Sequence, residues 1–74
     1  MTKLPQLSGR ELVKALGQFG YEVDRQRGSH IVIRRITSPH RRLVVPDHKE
    51  VAKGTLRAIL RQAGVTVDQL NDVL

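Results

Sequence analysis

The chain contains no cysteine, no tryptophan and no long apolar run, and each absence excludes a class of structure. Without cysteine, neither disulfide bonds nor thiolate zinc sites can stabilise the fold. No stretch approaches the roughly 20 apolar residues that a membrane-spanning helix needs. The residues before Ser8 also lack the apolar segment of a signal peptide. We therefore expect a cytoplasmic protein whose fold depends on an apolar core alone.

Aromatic residues are almost as scarce, since Phe19 and Tyr21 are the two that the chain contains. We therefore do not expect nucleic-acid bases to stack on an aromatic platform. A chain of 74 residues buries only about 60% of its unfolded surface, which is enough for one thin core. The sequence predicts a single domain over residues 1–74, with any active site on an open face rather than in a deep pocket.

Positive charge is the strongest compositional feature, with a formal net charge of +6 at pH 7. Residues 25–53 include just two acids, Asp47 and Glu50, and their excess of positive charge equals that of the whole chain. We call this segment the basic block; its eight cations are Arg25, Arg27, Arg34, Arg35, Arg41, Arg42, Lys49 and Lys53. Such a block binds phosphates or an acidic protein surface, or it is simply a solvated face.

Apolar periodicity and turn residues predict helices and three strands. Ser8 and Glu11 form a predicted capping box at the start of a helix over residues 9–19, which Gly20 ends. The other predicted elements are strands over 21–26, 30–35 and 42–45, a helix from Gly54-Thr55 to Gly64, and a short helix that begins at Thr66. This order predicts an α+β fold, α-β-β-β-α, with a three-stranded antiparallel sheet, both main helices on one face and a short C-terminal helix.

The second predicted strand indicates which side chains face solvent. Side chains alternate along a strand, so Ile31 and Ile33 point to one face while His30, Val32 and Arg34 point to the other. Because the isoleucines belong in the core, we expect His30 and Arg34 on the open face of the sheet. A histidine then shares a solvent-facing surface with arginines in the most basic part of the chain.

His30 is the candidate catalytic residue, because histidine is the side chain best suited to exchanging protons near neutral pH. RNA carries its own nucleophile, the 2′-hydroxyl. A ribonuclease therefore needs a base, an acid for the leaving 5′-oxygen, and cations for the crowded phosphorane. An open basic face can supply all three without a metal ion. The alternative is an ordinary surface histidine at the start of a strand.

Two other histidines and one lysine are further candidates. His48 follows Val45-Pro46-Asp47, whose proline fixes the exit of the third strand, and is a second proton-transfer group, a phosphate contact or a plain loop histidine. His40 lies in a polar loop, where we expect no function. The three histidines are ten and eight residues apart, which predicts no metal site. Lys53 precedes Gly54-Thr55, where the free N–H groups of a helix start attract anions, or where a helix simply begins.

Several short motifs follow one another in order along the chain. They are Lys3-Leu4-Pro5, Ser8-Gly9-Arg10-Glu11, Gly20-Tyr21, Arg25-Gln26-Arg27-Gly28-Ser29-His30, Val45-Pro46-Asp47-His48, Lys53-Gly54-Thr55-Leu56 and Ile59-Leu60-Arg61-Gln62-Ala63-Gly64. No motif is specific alone, but the ordered set resembles the HicA (YcfA-like) family of mRNA interferase toxins. The resemblance implies a double-stranded-RNA-binding-domain-like fold, RNA cleavage by the histidine of Gly-Ser-His, here His30, and neutralisation by a HicB antitoxin.

The sequence therefore predicts the toxin component of a type II toxin–antitoxin system, a metal-independent endoribonuclease with His30 as catalytic acid/base and no cofactor. The predicted RNA or phosphate contacts are Arg27, Ser29, Arg34, His48 and Lys53. The expected partners are mRNA and a HicB-like antitoxin, with no membrane and no metal. Two alternatives stay open: a non-catalytic RNA-binding module of the same fold, and a protein-interaction domain whose basic face meets an acidic partner.

Overall fold

Helix α1 (Gly9–Gly17) begins at the predicted capping box. The Ser8 hydroxyl accepts a hydrogen bond from the Glu11 backbone at 3.0 Å, and the Glu11 carboxylate accepts one from the Ser8 backbone at 2.9 Å. The hydrogen bond from the Ser8 backbone is the main reason that the pKa of Glu11 lies below its usual value, and the Ser8 side chain lowers it further. The helix ends two residues earlier than predicted, and a turn over residues 18–20 leads to Gly20 at φ 88°. These observations come from a computed structural model that describes residues 3–74.

Three antiparallel strands follow in the predicted order. They are β1 (Tyr21–Arg27), β2 (His30–Arg35) and β3 (Arg42–Pro46), and β2 lies in the centre of the sheet. The structure extends β1 and β3 by one residue each beyond the predicted ends. The turn between β1 and β2 is thereby reduced to Gly28 and Ser29, with Gly28 at φ 54°, a conformation that glycine adopts at little cost.

The predicted alternation of β2 is confirmed. Ile31 and Ile33 are 4% and 0% exposed, whereas His30 is exposed on the opposite face. In β1, Val23 is paired with Ile33 and so lies on the same face as the buried Tyr21, although Val23 itself is 55% exposed. A bulge between Val23 and Arg25 shifts the register against β2, so β1 does not keep a period of two along its length.

Two more helices complete the fold, α2 (Lys53–Ala63) and α3 (Val67–Asp72). Helix α2 begins one residue before the predicted start, and no side chain caps it. Helix α3 begins after Thr66 with the predicted capping box. Among residues 3–74, no helix is long and apolar enough to cross a membrane.

One hydrophobic cluster joins both main helices to the same face of the sheet. Leu12 and Leu16 of α1 and Leu56 of α2 are fully buried in it. The Tyr21 hydroxyl at the start of β1 donates a hydrogen bond to the Ala63 carbonyl at the end of α2, at 3.1 Å. The α+β class, the element order and the antiparallel sheet are therefore confirmed. The likeness to double-stranded-RNA-binding domains stays a prediction, as does the single domain over 1–74, whose first two residues lie outside the described residues.

Candidate functional site

His30 is the first residue of β2 and lies directly after the Gly28–Ser29 turn. Its cross-strand partners are Arg27 on β1 and Pro46 on β3. Residues directly opposite each other in an antiparallel sheet have Cβ atoms about 5 Å apart and point to the same face. The Arg27 guanidinium is therefore within reach of any phosphate that contacts the His30 ring. Arg25 is paired with Val32, so it lies on the same face, as a diagonal neighbour of His30.

The cations beside His30 are exposed and unpaired. Arg25 and Arg27 make no side-chain hydrogen bond or ion pair with any other described residue. Three side chains thus present positive charge or proton-transfer capacity to solvent at one end of the open face. We call Arg25, Arg27 and His30 the turn end.

The opposite end of the same face carries arginines that are already paired. Arg34 Nη2 lies 3.0 Å from Glu22 Oε1, and Arg42 Nε lies 3.4 Å from Asp24 Oδ2. Glu22 and Arg34 are directly opposite each other, whereas Asp24 sits at the bulge of β1 and reaches across β2 to β3. We call these four residues the far end. Both acids precede residue 25 and so lie outside the basic block, although they neutralise two of its arginines.

Two valines, one half-buried and one exposed, separate the two ends. Val32 of β2 and Val44 of β3 are cross-strand partners on the open face, and Val44 is 51% exposed. Arg34 is four residues from His30 along β2, which is about 13 Å at 3.3 Å per residue. The predicted catalytic residue His30 and the predicted contact Arg34 therefore lie on one face but at opposite ends of it.

The turn that carries His30 is held by Asp47, the residue after β3. The Asp47 backbone N–H donates to the Ser29 carbonyl at 2.6 Å. The Asp47 carboxylate accepts hydrogen bonds from Gln26 at 3.0 Å and from Arg10 Nε at 3.2 Å. Gln26 Nε2 also donates to the Gly28 carbonyl at 3.1 Å.

This environment lowers the pKa of Asp47. The side-chain hydrogen bond from Arg10 is the largest cause, and burial partly opposes it. The hydrogen bond from Gln26 and the charges of Arg10 and His48 lower it further. Asp47 is therefore ionised throughout the neutral range, as an acceptor for both donors.

The start of α1 lies against the same end of β3. The Gly9 N–H donates to the His48 carbonyl at 2.8 Å. A Cβ atom on Gly9 would overlap the Pro46 carbonyl oxygen, so a side chain at this position would force the helix away from the strand. Glycine thus permits the close approach that brings Arg10 to Asp47.

The remaining predicted contacts are not all at the turn. Ser29 is exposed within it, and the exposed His48 follows Pro46, the strand partner of His30, by two residues. Lys53 is the first residue of α2, and no hydrogen bond or ion pair within residues 3–74 joins it to the turn. The structure therefore groups Arg27 and Ser29 with His30, brings the His48 backbone nearby, and leaves Arg34 and Lys53 elsewhere.

Other members of the basic block have separate contacts. Arg41 Nη1 donates to the Gln62 carbonyl in the last turn of α2 at 3.1 Å. The His40 ring lies 3.1 Å from the Arg35 carbonyl, in the loop beyond the far end. Within the described residues, no group of three or more His, Cys, Asp or Glu residues could hold a metal ion. Hollows of about 240 and 300 Å³ lie beside α1, and neither is lined by His30.

Sequence reasoning missed three residues that support the turn: Arg10, Gln26 and Asp47. Gln26 is paired with the buried Ile31 and so falls on the side of the sheet that faces the helices. This position depends on the bulge after Val23, since regular alternation from Tyr21 would put Gln26 on the other face, so the sequence carried no signal for it. No signal pointed to Arg10 either, which lies 37 residues from Asp47 in the chain.

Comparison with known families places these features in a class, the toxins of bacterial toxin–antitoxin systems. The family described as HicA toxin of bacterial toxin–antitoxin systems matches residues 9–65, which include both ends of the open face. The chain belongs to the HicA toxin family. A comparison with curated proteins found no match.

Proposed function

We propose that this HicA-family toxin is a metal-independent endoribonuclease that cleaves mRNA with His30 as its catalytic acid/base. The observation that carries the proposal is the pairing of exposed His30 with Arg27, whose guanidinium has no partner within residues 3–74. A proton-transfer group beside an uncommitted cation provides two of the three groups that RNA cleavage by its own 2′-hydroxyl requires. The family match supports a toxin in a toxin–antitoxin pair.

The reaction we propose uses no nucleophile from the protein. His30 accepts the proton of the 2′-hydroxyl, the 2′-oxygen bonds to the adjacent phosphorus, and the bond from phosphorus to the 5′-oxygen breaks. The products are a 2′,3′-cyclic phosphate and a 5′-hydroxyl, and the latter takes its proton from a general acid. Arg27 stabilises the charge that develops on the phosphorane oxygens. His48 is our candidate for the second proton-transfer group, because it follows the strand partner of His30 by two residues.

The RNA path that we propose begins at the turn end. Arg27 and Ser29 contact the phosphates nearest the scissile bond, and His48 lies next to these phosphates. Arg34 and Lys53 serve as outer contacts for a longer single-stranded segment. Arg34 has to share its guanidinium with Glu22 to do so, because Nη2 donates to Glu22 and the Nε is buried away from solvent.

A HicB-like antitoxin is the partner that we propose for the same face. A surface with free cations at one end attracts an acidic protein surface, and such complementarity mainly accelerates association. An antitoxin that covers Arg25, Arg27 and His30 would compete directly with RNA. This arrangement makes the toxin a type II member, whose antitoxin is a protein.

Incubating the protein with a radiolabelled mRNA tests the catalytic proposal against the non-catalytic RNA-binding alternative. A nuclease shortens the RNA on a denaturing gel and leaves 2′,3′-cyclic phosphate ends. A binding module retards the RNA on a native gel and leaves it intact on the denaturing gel. Retarded but intact RNA, with protein in excess, would contradict the proposal and support the alternative.

A further inference from the structure

A chain of polar contacts runs from the first turn of α1 to the turn that carries His30. Arg10 donates to both carboxylate oxygens of Asp47, at 3.2 and 3.3 Å. The Gln26 amide uses its two hydrogens for two acceptors, the Asp47 carboxylate at 3.0 Å and the Gly28 carbonyl at 3.1 Å. This series of contacts therefore ends at the backbone carbonyl of Gly28, two positions before His30.

Asp47 also reaches the turn by a second route. Its backbone N–H donates to the Ser29 carbonyl at 2.6 Å. One residue thus contacts Ser29 directly and Gly28 through Gln26, so both residues of the turn are tied to the exit of β3. A two-residue turn with Gly28 in the left-handed region has few other restraints, because it projects from the sheet into solvent.

The contacts approach the turn from the side opposite the open face. Gln26 is the register partner of the buried Ile31, whereas His30 is the partner of Arg27 on the open face. Asp47 and Gln26 therefore fix the backbone below His30 and leave the imidazole free to meet a substrate. Such an arrangement can hold a catalytic side chain in position without blocking it.

We infer that Asp47 is a positioning residue, which with Gln26 holds the Gly28–Ser29 turn in the geometry that aims His30 across the open face. The catalytic part of this inference rests on the proposed ribonuclease function, while the structural part does not. Arg10 orients the Asp47 carboxylate but contributes less, because its side chain is 78% exposed and exposed ion pairs are weak.

The test compares Asp47→Ala with Asp24→Ala, a matched control. Asp24 also pairs with one arginine and is similarly covered, at 33% side-chain exposure against 20% for Asp47, but it lies at the far end and contacts no turn residue. Backbone order parameters for Gly28, Ser29 and His30 are measured by ¹⁵N relaxation in the free protein. We expect them to fall from about 0.85 towards about 0.6 in Asp47→Ala and to stay unchanged in Asp24→Ala.

Kinetics with an RNA substrate add a second readout. A misplaced catalytic group slows the reaction of RNA that is already bound. We therefore expect kcat to fall by about 10- to 100-fold in Asp47→Ala while KM changes little. Gln26→Leu should act in the same direction without altering Asp47. The double variant should lose no more than the worse single one, because both substitutions break the same chain of contacts.

A conservative variant separates positioning from general stability. Asp47→Asn keeps one side-chain oxygen that can accept from Gln26, so it should restore much of the order and the kcat that Asp47→Ala loses. Unchanged order parameters in Asp47→Ala, or equal losses in Asp24→Ala, would overturn the inference. If the unaltered protein cleaves no RNA, the proposed function fails, yet the order parameters still decide whether Asp47 holds the turn.

Discussion

The two ends of the open face each carry two arginines, but in opposite electrostatic states. At the turn end, Arg27 faces His30 and no acid, so its charge is available to a ligand. At the far end, Arg34 faces Glu22, and Asp24 crosses the sheet to Arg42. Strand register, rather than the number of arginines, therefore determines where the face is cationic. A ligand rich in phosphate should engage the turn end first.

The difference also separates two roles for surface ion pairs. The far-end pairs join side chain to side chain across the strands. The Arg10–Asp47 pair instead continues through Gln26 to the backbone of a turn. Exposed pairs of the first kind contribute little to stability, so their main effect is to neutralise charge. The Arg10–Asp47 pair instead helps to hold the backbone of the turn in place.

The largest expected effect comes from removing the imidazole at the turn end. His30→Ala should reduce RNA cleavage by at least about 100-fold, the usual contribution of a general acid or base. The free energy of unfolding should change by less than about 0.5 kcal/mol, because the side chain is exposed. Product formation on a gel and chemical denaturation provide the two measurements. His40→Ala is the control beyond the far end, and equal losses in both variants would remove the distinction between the ends.

A smaller effect is expected from the arginines, measured as RNA affinity in the inactive His30→Ala background. For single strands, the slope of log affinity against log salt changes by about 0.7 for each phosphate contact. Arg27→Ala should make the slope shallower by about this amount, and Arg34→Ala by clearly less, because Glu22 already occupies Arg34. Equal changes would mean that RNA crosses the whole face. A larger change for Arg34 would reverse the comparison.

Converting the far end into a second free cation should strengthen binding. Glu22→Gln removes the carboxylate opposite Arg34, so the salt slope should become steeper by up to about 0.7 and affinity at low salt should rise several-fold. Glu50→Gln makes the same change in net charge at an exposed residue between β3 and α2, beside the start of α1. Matching gains in the two variants would indicate a general charge effect and contradict the role of register.

No effect is expected from metal chelation. The histidine spacing predicts no metal site, and both far-end carboxylates are paired with arginines. Cleavage rates measured in excess EDTA should therefore equal those without it. Loss of activity that one divalent ion restores would show that the carboxylates, rather than the turn-end cations, support the chemistry.

Much of the fold was predictable because local signals were strong and agreed with one another. The Ser8 and Thr66 capping boxes are complete within four residues, and the alternation around Ile31 and Ile33 marks the buried face of β2 without reference to any other element. The exposure of His30 follows from that alternation. Its assignment as a catalytic residue is still a proposal.

What could not be predicted depends on how distant segments meet. The bulge after Val23 arises from pairing between β1 and β2, and it alters which β1 side chains face solvent. The ion pair between Asp24 and Arg42 requires two strands that are not neighbours in the sheet. The contact of Arg10 with Asp47 requires the close approach at Gly9. Neither helical nor strand periodicity contains this information.

The hydrogen bond between Tyr21 and Ala63 gives the protein a built-in optical reporter. With no tryptophan and a single tyrosine in the chain, intrinsic emission comes almost entirely from one buried phenol at the junction of β1 and α2. RNA contributes no tyrosine signal, and the reporter sits in the core rather than on the open face. Its emission therefore reports the separation of the sheet from α2 and not the binding of a ligand to the open face. No dye has to be attached and no residue altered.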